Sequence, residues 1–407
     1  MKKLMVLGAS YSQIPLIRAA KRRGVHVTVV SIPGPYAGFA EADEAVYADI
    51  TDPEEVLKAA EKIRPDGVTT CCMDVGTLSM GYVCEKLGLP GPSFAAVKAA
   101  SDKAEEKERY VRCGVPTAKH RIVRSAEEIP EVLKDLKFPV MVKAVDLMGS
   151  RGISRADTPE EVRRAFSYAM NATDRDFCII EEFIDGTMFG VEAMIGEKEL
   201  SYCLVLGNDM KGGNPSFPTG HYVPYHPDPS GTEKASERIR EVTQKVADAL
   251  GYRHCAMDLD CMWKDGEIYV IESTCRAGAT CITDTVSIYY GFDYFDAIVA
   301  AALGEETKEM FSSPDTPKTP SVTKLLASPS GGTLKEIVVP ESLPEGVTDL
   351  SFNVRPGDAV RPMENGRDRI GQLIVKGESV EACRGQIAEV LRGTCLVFED
   401  GRKEHVC

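Results

Sequence analysis

The sequence lacks several features that would place the chain in a common class. Its longest apolar runs are far shorter than the roughly 20 residues that cross a bilayer, so no transmembrane segment is expected. None of its 13 cysteines forms a C-x-x-C pair, so a structural zinc site is not expected. Positively charged residues are outnumbered: the chain has 48 Lys and Arg but 62 Asp and Glu, which gives a net charge of −14. This balance argues against a nucleic-acid surface. Neither nucleic acid nor a membrane is therefore expected as a partner.

The first ten residues and the cysteines indicate a compartment. Residues 1–10 have basic residues and a short apolar run, without the long apolar region and cleavage site of a signal peptide. We interpret them as a first β-strand. The cysteine count is odd, and most cysteines lie in apolar segments, as Cys71 and Cys178 do. Reduced thiols fit this pattern better than disulfides do, so a cytoplasmic protein is expected.

The 407 residues have room for two to four domains. Residues 1–95 alternate strands and helices, which predicts a βαβ domain with a parallel sheet. Residues 96–306 hold further strands and helices, among them a long polar helix at 231–250. Residues 307–320 are rich in Ser, Thr and Pro and are interpreted as a linker. Short strands and one helix follow in residues 321–407, which predicts a small α+β domain.

A dinucleotide site is a rival interpretation of the first domain. The turn after the first strand, Gly8-Ala-Ser-Tyr-Ser-Gln13, lacks the second and third glycines that let a pyrophosphate approach. The second strand ends in Val30-Ser31, without an acid to bind a ribose. A nicotinamide-dependent oxidoreductase is therefore disfavoured.

Residues 258–276 predict a β-hairpin with acids on one face. Asp265-Gly266 is a turn signal between two apolar runs. A loop of odd length would place Asp260 opposite Glu272, whereas a two-residue loop would put the two acids on different faces. Neighbouring carboxylates repel unless a cation lies between them. Their oxygens suit Mg²⁺ shared with nucleotide phosphates. Two solvated strand acids are the alternative.

A second signal is a lysine at the end of an apolar strand. Lys143 follows Phe138-Pro-Val-Met-Val and precedes the glycine-bearing segment 148–152. Such an arrangement can place a cation and backbone N–H groups around phosphates. An ordinary turn with a surface lysine is the alternative.

Taken in order, these segments resemble the ATP-grasp superfamily. The resemblance spans roughly residues 1 to 400 and is most specific between Ser101 and Arg276. It implies an α/β and α+β fold: an N-terminal βαβ (pre-ATP-grasp) domain at 1–95, a two-lobed ATP-grasp domain at 96–306 and a small α+β domain at 321–407. Within the ATP-grasp domain, residues 114–185 are expected to form a mobile lid.

The resemblance also implies which residues bind ATP. Two lysines grip the nucleotide, a glycine loop covers its phosphates, and the backbone of a hinge strand binds adenine. Met188 stands where the family often has a ribose-binding acid, and Glu192 is the candidate replacement. The residues assigned to ATP in this way are Lys103, Lys143, Gly149, Ser150, Gly152, Glu181, Glu182, Phe183, Ile184 and Glu192.

The expected metal ligands and catalytic residues follow from the same motifs. Asp260 and Glu272 have the spacing of the family's metal-binding acids, and Thr274 stands as a weaker ligand where the family commonly has Asn. Arg276 matches the arginine of the Glu-x-Asn-x-Arg motif, and Arg151 matches the arginine of the phosphate-covering loop. Both arginines are expected to be catalytic.

The function that the resemblance implies is an ATP-dependent carboxylate–amine ligase. It would form an amide or peptide bond through an acylphosphate, converting ATP to ADP and phosphate with Mg²⁺ or Mn²⁺. The expected partners are a small carboxylate, an amino acid in the first instance, and an amine. A purine-pathway or carboxylase-type ATP-grasp enzyme stays open, as does a nucleotide-binding protein with weak ligase activity. A homodimer also stays open.

Substrate-binding candidates complete the expectations. The segment Gly220-His221-Tyr222-Val-Pro224 resembles the Gly-His-x-x-Pro segment of amino-acid (dipeptide) ligases. His221 is therefore a candidate, although a loop histidine stacked on Tyr222 or Tyr225 is an equal alternative. The other candidates are Arg276, Gly278 and Asp74.

Overall fold

The computed structural model describes residues 1–147, 151–212, 217–312 and 318–407. Gly149 and Ser150, which are expected to bind phosphates, and residues 313–317 of the expected linker lie outside the described residues.

The N-terminal region contains a four-stranded parallel sheet in the order β3-β2-β1-β4, which confirms the predicted βαβ pattern. Its strands are β1 Lys3–Leu7, β2 His26–Ser31, β3 Glu44–Tyr47 and β4 Gly67–Thr69. Its helices are α1 Ile14–Arg22, α2 Gly38–Glu41, α3 Pro53–Ile63, α4 Thr77–Leu87 and α5 Phe94–Ala100. Asp52 caps α3, because its carboxylate accepts from the N–H groups of Glu54 and Glu55.

A small antiparallel lobe follows helix α6 (Lys103–Cys113). Its sheet has the order β5-β8-β6-β7, with strands β5 His120–Val123, β6 Val140–Ala144, β7 Ile153–Ala156 and β8 Cys178–Glu182. Helices α7 Ile129–Val132 and α8 Pro159–Ala172 pack on it and give the lobe a core of its own. Thr158 caps α8, whereas α7 begins without a side-chain cap. This lobe lies within the range expected to form the lid.

An eight-stranded antiparallel sheet forms the centre of the molecule, in the order β13-β12-β9-β10-β11-β14-β18-β16. Its strands are β9 Thr187–Ile195, β10 Leu200–Lys211, β11 Phe217–Val223, β12 Cys255–Lys264, β13 Glu267–Thr274, β14 Ser321–Leu326, β16 Val347–Phe352 and β18 Gly371–Lys376. Three strands of residues 321–407 therefore extend the same sheet, through the pairing of Tyr222 with Val322.

Helices cover both faces of this sheet. They are α9 Glu233–Leu250, α10 Ile282–Tyr290 and α11 Tyr294–Ala302. Ile298 of α11 shares a buried cluster with Leu16 and Ile17 of α1, so α11 joins the N-terminal region to the central sheet. This packing fixes the N-terminal loops beside the hairpin β12–β13.

The remaining C-terminal residues form a fourth sheet and a helix. The sheet has the order β17-β15-β19-β20, with strands β15 Gly332–Val338, β17 Ala359–Val360, β19 Cys395–Phe398 and β20 Lys403–His405. Helix α12 is Val380–Gly393, and short 3₁₀ helices occur at Tyr11–Gln13, Lys308–Phe311 and Gly366–Asp368. Within the described ranges, no helix has the length and hydrophobicity to span a bilayer.

Candidate active site

The hairpin β12–β13 places its acids together by a different route from the expected one. Lys264 pairs with Glu267, so the loop has only two residues, Asp265 and Gly266, with φ of +53° and +82°. Positive φ at both positions is the geometry of a tight hairpin turn, which Asp-Gly favours. The expected loop of odd length is therefore wrong.

A β-bulge corrects the face on which the acids lie. The register shifts between Asp260 and Cys261: Cys261 pairs with Val270, whereas Asp260 pairs with Glu272. Ile271 is the extra residue, since a bulge sets two residues of one strand against one of its partner. The two acids thus lie directly opposite each other despite the short loop.

The electrostatics of the two acids are those of a cation site. Burial and the repulsion of Glu272 raise the pKa of Asp260 to about 8. Burial disfavours the charged form of Glu272 as well, but Lys103 outweighs it and lowers the pKa of Glu272. A cation between the carboxylates would remove the repulsion that raises the pKa of Asp260.

The donor set fits Mg²⁺. Asp260 and Glu272 provide the hard oxygen ligands that this ion prefers. The hydroxyl of Thr274, two residues along β13, is buried and has no hydrogen-bond partner in the described part of the chain. Among the described residues, no group of three or more His, Cys, Asp or Glu side chains could hold a metal ion. The two acids therefore suit an ion whose other ligands come from phosphate and water.

The first expected lysine lies beside these acids. Lys103 begins α6, and its Nζ lies 2.6 Å from Glu272 Oε2. Burial disfavours the charged form of Lys103, yet the attraction of Glu272 outweighs it and raises the pKa of Lys103. The cap of α6 is Asp102, whereas the hydroxyl of the preceding Ser101 donates to Val97 O.

The second expected lysine, Lys143, and a further lysine, Lys107, form ion pairs with the same buried carboxylate. Glu181, on β8, forms an ion pair with Lys143 of β6 through one oxygen and with Lys107 of α6 through the other, at 2.9 Å. Burial disfavours the charged form of Glu181, but the two lysines lower the pKa of Glu181 to about 2. Glu181 therefore acts by fixing the two ammonium groups. Sequence reasoning missed Lys107, although its position one helical turn after Lys103 on α6 is a usable signal.

Glu106 is a further residue that sequence reasoning missed. It is 1% exposed, and its Oε1 accepts from Ser273 N, Ser273 Oγ and Tyr110 OH. Burial raises the pKa of Glu106 to about 7. Because Ser273 lies between the expected ligands on β13, these contacts fix that strand against α6.

The structure brings two substrate candidates together. Arg276 donates from Nε and Nη2 to the two oxygens of Asp74, at 2.8 and 3.0 Å. Its Nη1 donates to Asp258 Oδ2 at 2.9 Å. Asp74 follows strand β4 of the N-terminal region, so this bidentate pair joins that region to the hairpin. Asp74 and Asp258 together set the orientation of the guanidinium.

Glu192 has partners for both of its oxygens within the protein. It is fully buried, and its oxygens accept from Gly278 N at 3.0 Å and Tyr294 OH at 2.8 Å. Burial and the nearby Asp258 raise its pKa well above the usual range. Glu192 therefore anchors the loop at Gly278, and its expected contact with a ribose stays a prediction. A Cβ on Gly278 would lie 2.7 Å from Ile282, so this position has no room for a side chain.

His221 is a buried strand residue, not a loop residue stacked on a tyrosine. It lies on β11, with Nδ1 2.8 Å from Asn208 Oδ1 and Nε2 2.7 Å from Thr280 Oγ1. Burial lowers the pKa of His221 to about 4, so the ring is neutral near pH 7. Tyr222 packs edge-on against Tyr225 instead.

Three further residues expected to contact the nucleotide have backbone partners within the protein. The N–H groups of Glu182 and Phe183 donate to Lys119 O and Pro139 O, at 2.9 Å each. Gly152 O accepts from Ala144 N at 2.8 Å, which ties the end of the glycine-bearing segment to the strand of Lys143. Arg151, beside it, is exposed.

The fold and the site together define a class. A small antiparallel lobe brings Lys143 to the hairpin that carries paired acids, and a parallel-sheet domain contributes Asp74. This is the architecture that the resemblance to ATP-grasp enzymes predicts.

Comparison with known families supports this class. Residues 102–308, half of the chain, match the family model described as the carbamoyl-phosphate synthase L chain, ATP binding domain. Residues 324–399 match the L-amino acid ligase C-terminal domain 2. The chain belongs to the ATP-grasp superfamily of carboxylate–amine ligases, and it is a carbon–nitrogen bond-forming enzyme.

Individual relatives are similar over different lengths. A solved structure described as phosphoribosylglycinamide synthetase from Anaerococcus prevotii has 32% sequence identity and a TM-score of 0.84, covering 98% of this chain and 100% of that one. The L-amino acid ligase from Bacillus licheniformis shares the fold, at 19% identity and a TM-score of 0.81, covering 98% and 99%. The carbamoyl phosphate synthase large chain of Clostridium beijerinckii is 23% identical over 80% of this chain, which spans only 31% of that protein.

Proposed function

We propose that the protein joins a small carboxylate, an amino acid in the first instance, to an amine through an acylphosphate formed from ATP. The observation that carries this proposal is the placement of Asp260 directly opposite Glu272, with Lys103 2.6 Å from the second acid. Two acids that repel each other can share a metal ion, and the lysines beside them can bind the phosphates of a nucleoside triphosphate. The match to an L-amino acid ligase domain supports the choice of an amino acid.

The proposed reaction has two balanced steps. A carboxylate oxygen attacks the γ-phosphorus of ATP, the bond to the β-phosphate oxygen breaks, and ADP leaves. The amine nitrogen then attacks the acyl carbon, phosphate leaves with the carboxylate oxygen, and the nitrogen loses a proton. Activation is needed because an oxide is a poor leaving group, whereas phosphate is a good one.

Different residues of this chain have different roles in the proposed reaction. Phosphoryl transfer needs positioning and neutralisation of charge more than covalent chemistry. In the proposal, Lys103 and Lys143 hold the phosphates. Arg276, oriented by Asp74 and Asp258, offers its remaining Nη2–H and its positive charge to the reacting carboxylate. Arg151 approaches the γ-phosphate. The one contribution of Mg²⁺, when held by Asp260 and Glu272, would be to neutralise charge on the phosphates. Mn²⁺ is expected to replace it, since it accepts the same oxygen ligands.

A purine-pathway enzyme is the second candidate. The relative with 32% identity over 98% of this chain is described as phosphoribosylglycinamide synthetase. Such an enzyme would run the same chemistry with a phosphorylated amine. The two candidates differ in the amine, not in the phosphoryl transfer.

An ADP-release screen tests the proposal. The purified protein, ATP and Mg²⁺ are offered single carboxylic acids, with hydroxylamine as the amine that traps any acylphosphate as a hydroxamate. Amino acids and phosphorylated amines then replace hydroxylamine. The proposal predicts ADP and hydroxamate in equal amounts with at least one amino acid. ADP release that needs no carboxylate, or none with any pair, would contradict it.

A further inference from the structure

A cavity of about 530 Å³ borders the proposed site and has not been assigned a role above. It lies where four parts of the chain meet: the turn after β1, the segment before β7, the loop after Arg276 and the C-terminal residues between β16 and β18. The residues that line it include Tyr11, Arg151, Thr280, Asn353, Arg361 and Arg369. Its volume is within the range of small-molecule sites, roughly 300–1,000 Å³.

The charge of this cavity is opposite to that of the chain. Three arginines line it, and no Asp or Glu is among the described residues that do. The chain as a whole has a net charge of −14. A local excess of guanidinium groups in an acidic protein favours an anion, and the planar fork of arginine suits carboxylate and phosphate oxygens.

One of these arginines, Arg361, is oriented by a buried aspartate. Arg361 Nε donates to Asp368 Oδ1 at 2.6 Å. The Asp368 side chain is only 2% exposed, and its other oxygen accepts from Glu364 N and Asn365 N. The Arg361 side chain is nevertheless 69% exposed. The buried acid therefore fixes the orientation of a cation that still faces solvent.

The second arginine closes the cavity against the N-terminal region. Arg369 donates from Nη2 to the hydroxyl of Tyr11, and its guanidinium lies 5.7 Å from the centre of the Tyr11 ring. Tyr11 belongs to the short helix after β1. The cavity is thus formed jointly by the N-terminal and C-terminal parts of the chain.

The cavity is close to the proposed reaction centre. Thr280, on its wall, follows Arg276 by four residues, a separation of at most about 14 Å. Thr280 has a φ of +59°, which is rare for a β-branched residue, and its hydroxyl contacts His221. Arg151 lines the other side and follows the strand of Lys143. The cavity wall therefore includes Arg151 and lies four residues along the chain from Arg276.

We propose that this cavity binds an anionic group of the amine substrate, away from the nitrogen that attacks. The group is a carboxylate or a phosphate ester, since both present oxygens that pair with Arg361 and Arg369. This inference rests on the ligase function proposed above and names its second substrate class. An amino acid as the amine would supply a carboxylate, whereas a phosphorylated amine would supply a phosphate.

Kinetics on three variants and a control test this assignment. Arg361→Gln and Arg369→Gln each remove one cation, Arg369→Lys keeps the charge but loses the fork, and Arg355→Gln is the control. Arg355 is 87% exposed and does not line the cavity. Loss of one charge-assisted contact should raise the KM for the anionic amine about 10-fold or more. The KM for ATP and the rate with hydroxylamine, which has no anionic group, should stay unchanged.

Direct binding separates this inference from the ligase proposal. Inorganic phosphate and acetate are titrated calorimetrically into the protein with ADP and Mg²⁺ present, and circular dichroism checks the fold of each variant. Affinity that falls about 10-fold in both Gln variants but not in Arg355→Gln supports the site, even if no ligation is found. Tighter binding of phosphate or of acetate identifies the group. Equal affinities in wild type and in both Gln variants, or an unchanged KM for the anionic amine, would overturn the inference.

Discussion

At the scale of single residues, the site is organised by buried charges that share partners. One carboxylate, Glu181, serves both Lys107 and Lys143. Lys103 has Glu272 as its partner. Burying charge costs several kcal/mol per ion unless the partners are well placed. A shared acid leaves an excess of positive charge, which suits the phosphates of a nucleotide.

Glu272→Gln tests the metal assignment. The change removes one ligand charge and keeps the volume, so the fold should persist while kcat falls about 100-fold or more, because metal ions contribute several kcal/mol to such reactions. ADP release is measured across a range of Mg²⁺ concentrations. Glu267→Gln is the matched control, since Glu267 begins the same strand but is exposed and pairs with Arg238. Normal turnover of Glu272→Gln would refute the assignment.

His221 gives a prediction for the pH dependence of stability. Its pKa is lowered from 6.5 to about 4 in the folded state, so the unfolded chain binds a proton that the folded chain does not. Stability from this residue is complete above pH 6.5 and is lost as the pH falls towards 4, by at most about 3 kcal/mol. Urea unfolding at several pH values should show a flatter profile for His221→Gln in that window. Parallel profiles would contradict the burial of a neutral ring.

The pairing of Asp260 with Glu272 was expected from the sequence, whereas their metal role and the role of Arg276 follow from the resemblance and stay predictions. Lys107 and Glu106 were missed because their partners, Glu181 and Ser273, are distant in sequence. The positions of Gly149 and Ser150, outside the described residues, stay predictions.

At the scale of elements, the hairpin shows why register is hard to predict. The Asp-Gly turn was recognised, but its two-residue length alone would have separated the acids. The bulge at Ile271 restores their pairing, and an isoleucine within the apolar run 268–271 gives no local signal for it. The strand direction and the turn follow from local sequence, whereas the bulge is set by the packing of β13 against α6 and α9.

Gly266→Ala tests the turn. Gly266 has a φ of +82°, and an added Cβ would meet nothing within 4 Å, so only backbone strain opposes the change. The free energy of unfolding should fall by about 1 kcal/mol. The control is Gly385→Ala on helix α12, which also has open space around the Cβ position.

Urea unfolding measures both glycine variants. Because alanine is the better helix former, Gly385→Ala should raise the free energy of unfolding by about 0.5–1 kcal/mol. The same chemical change thus has opposite expected signs at the two positions. A destabilisation of Gly385→Ala together with no change in Gly266→Ala would contradict the backbone argument.

At the scale of the whole molecule, the site depends on contacts between distant parts of the chain. Asp74 reaches Arg276 from the N-terminal region, and strands of residues 321–407 continue the central sheet. The domain order was predictable from the alternation of strands and helices and from the resemblance. The sharing of one sheet across the proposed boundary at 321 was not, because strand pairing over such a distance has no local signature.

Asp74→Asn tests whether the N-terminal region positions Arg276. The change keeps the shape but weakens the bidentate pair, so the kcat for ligation should fall about 10- to 100-fold, equivalent to roughly 1.5–3 kcal/mol. The KM for ATP should be nearly unchanged, because Lys103, Lys107 and Lys143 form their ion pairs with Glu272 and Glu181, not with Asp74. Asp49→Asn, an exposed acid of the same region that bonds only Thr51, is the control. A raised KM for ATP with unchanged kcat would contradict a positioning role.

The transfer of ¹⁸O from the carboxylate to phosphate tests the central claim most directly. The carboxylic acid found in the ADP-release screen is labelled with ¹⁸O on both oxygens, and the phosphate released during ligation is analysed by mass spectrometry. An acylphosphate intermediate predicts one ¹⁸O atom in each phosphate and one in each amide, with phosphate equal to ADP. Phosphate that contains no ¹⁸O, while amide still forms, would contradict activation of the carboxylate by the γ-phosphate of ATP.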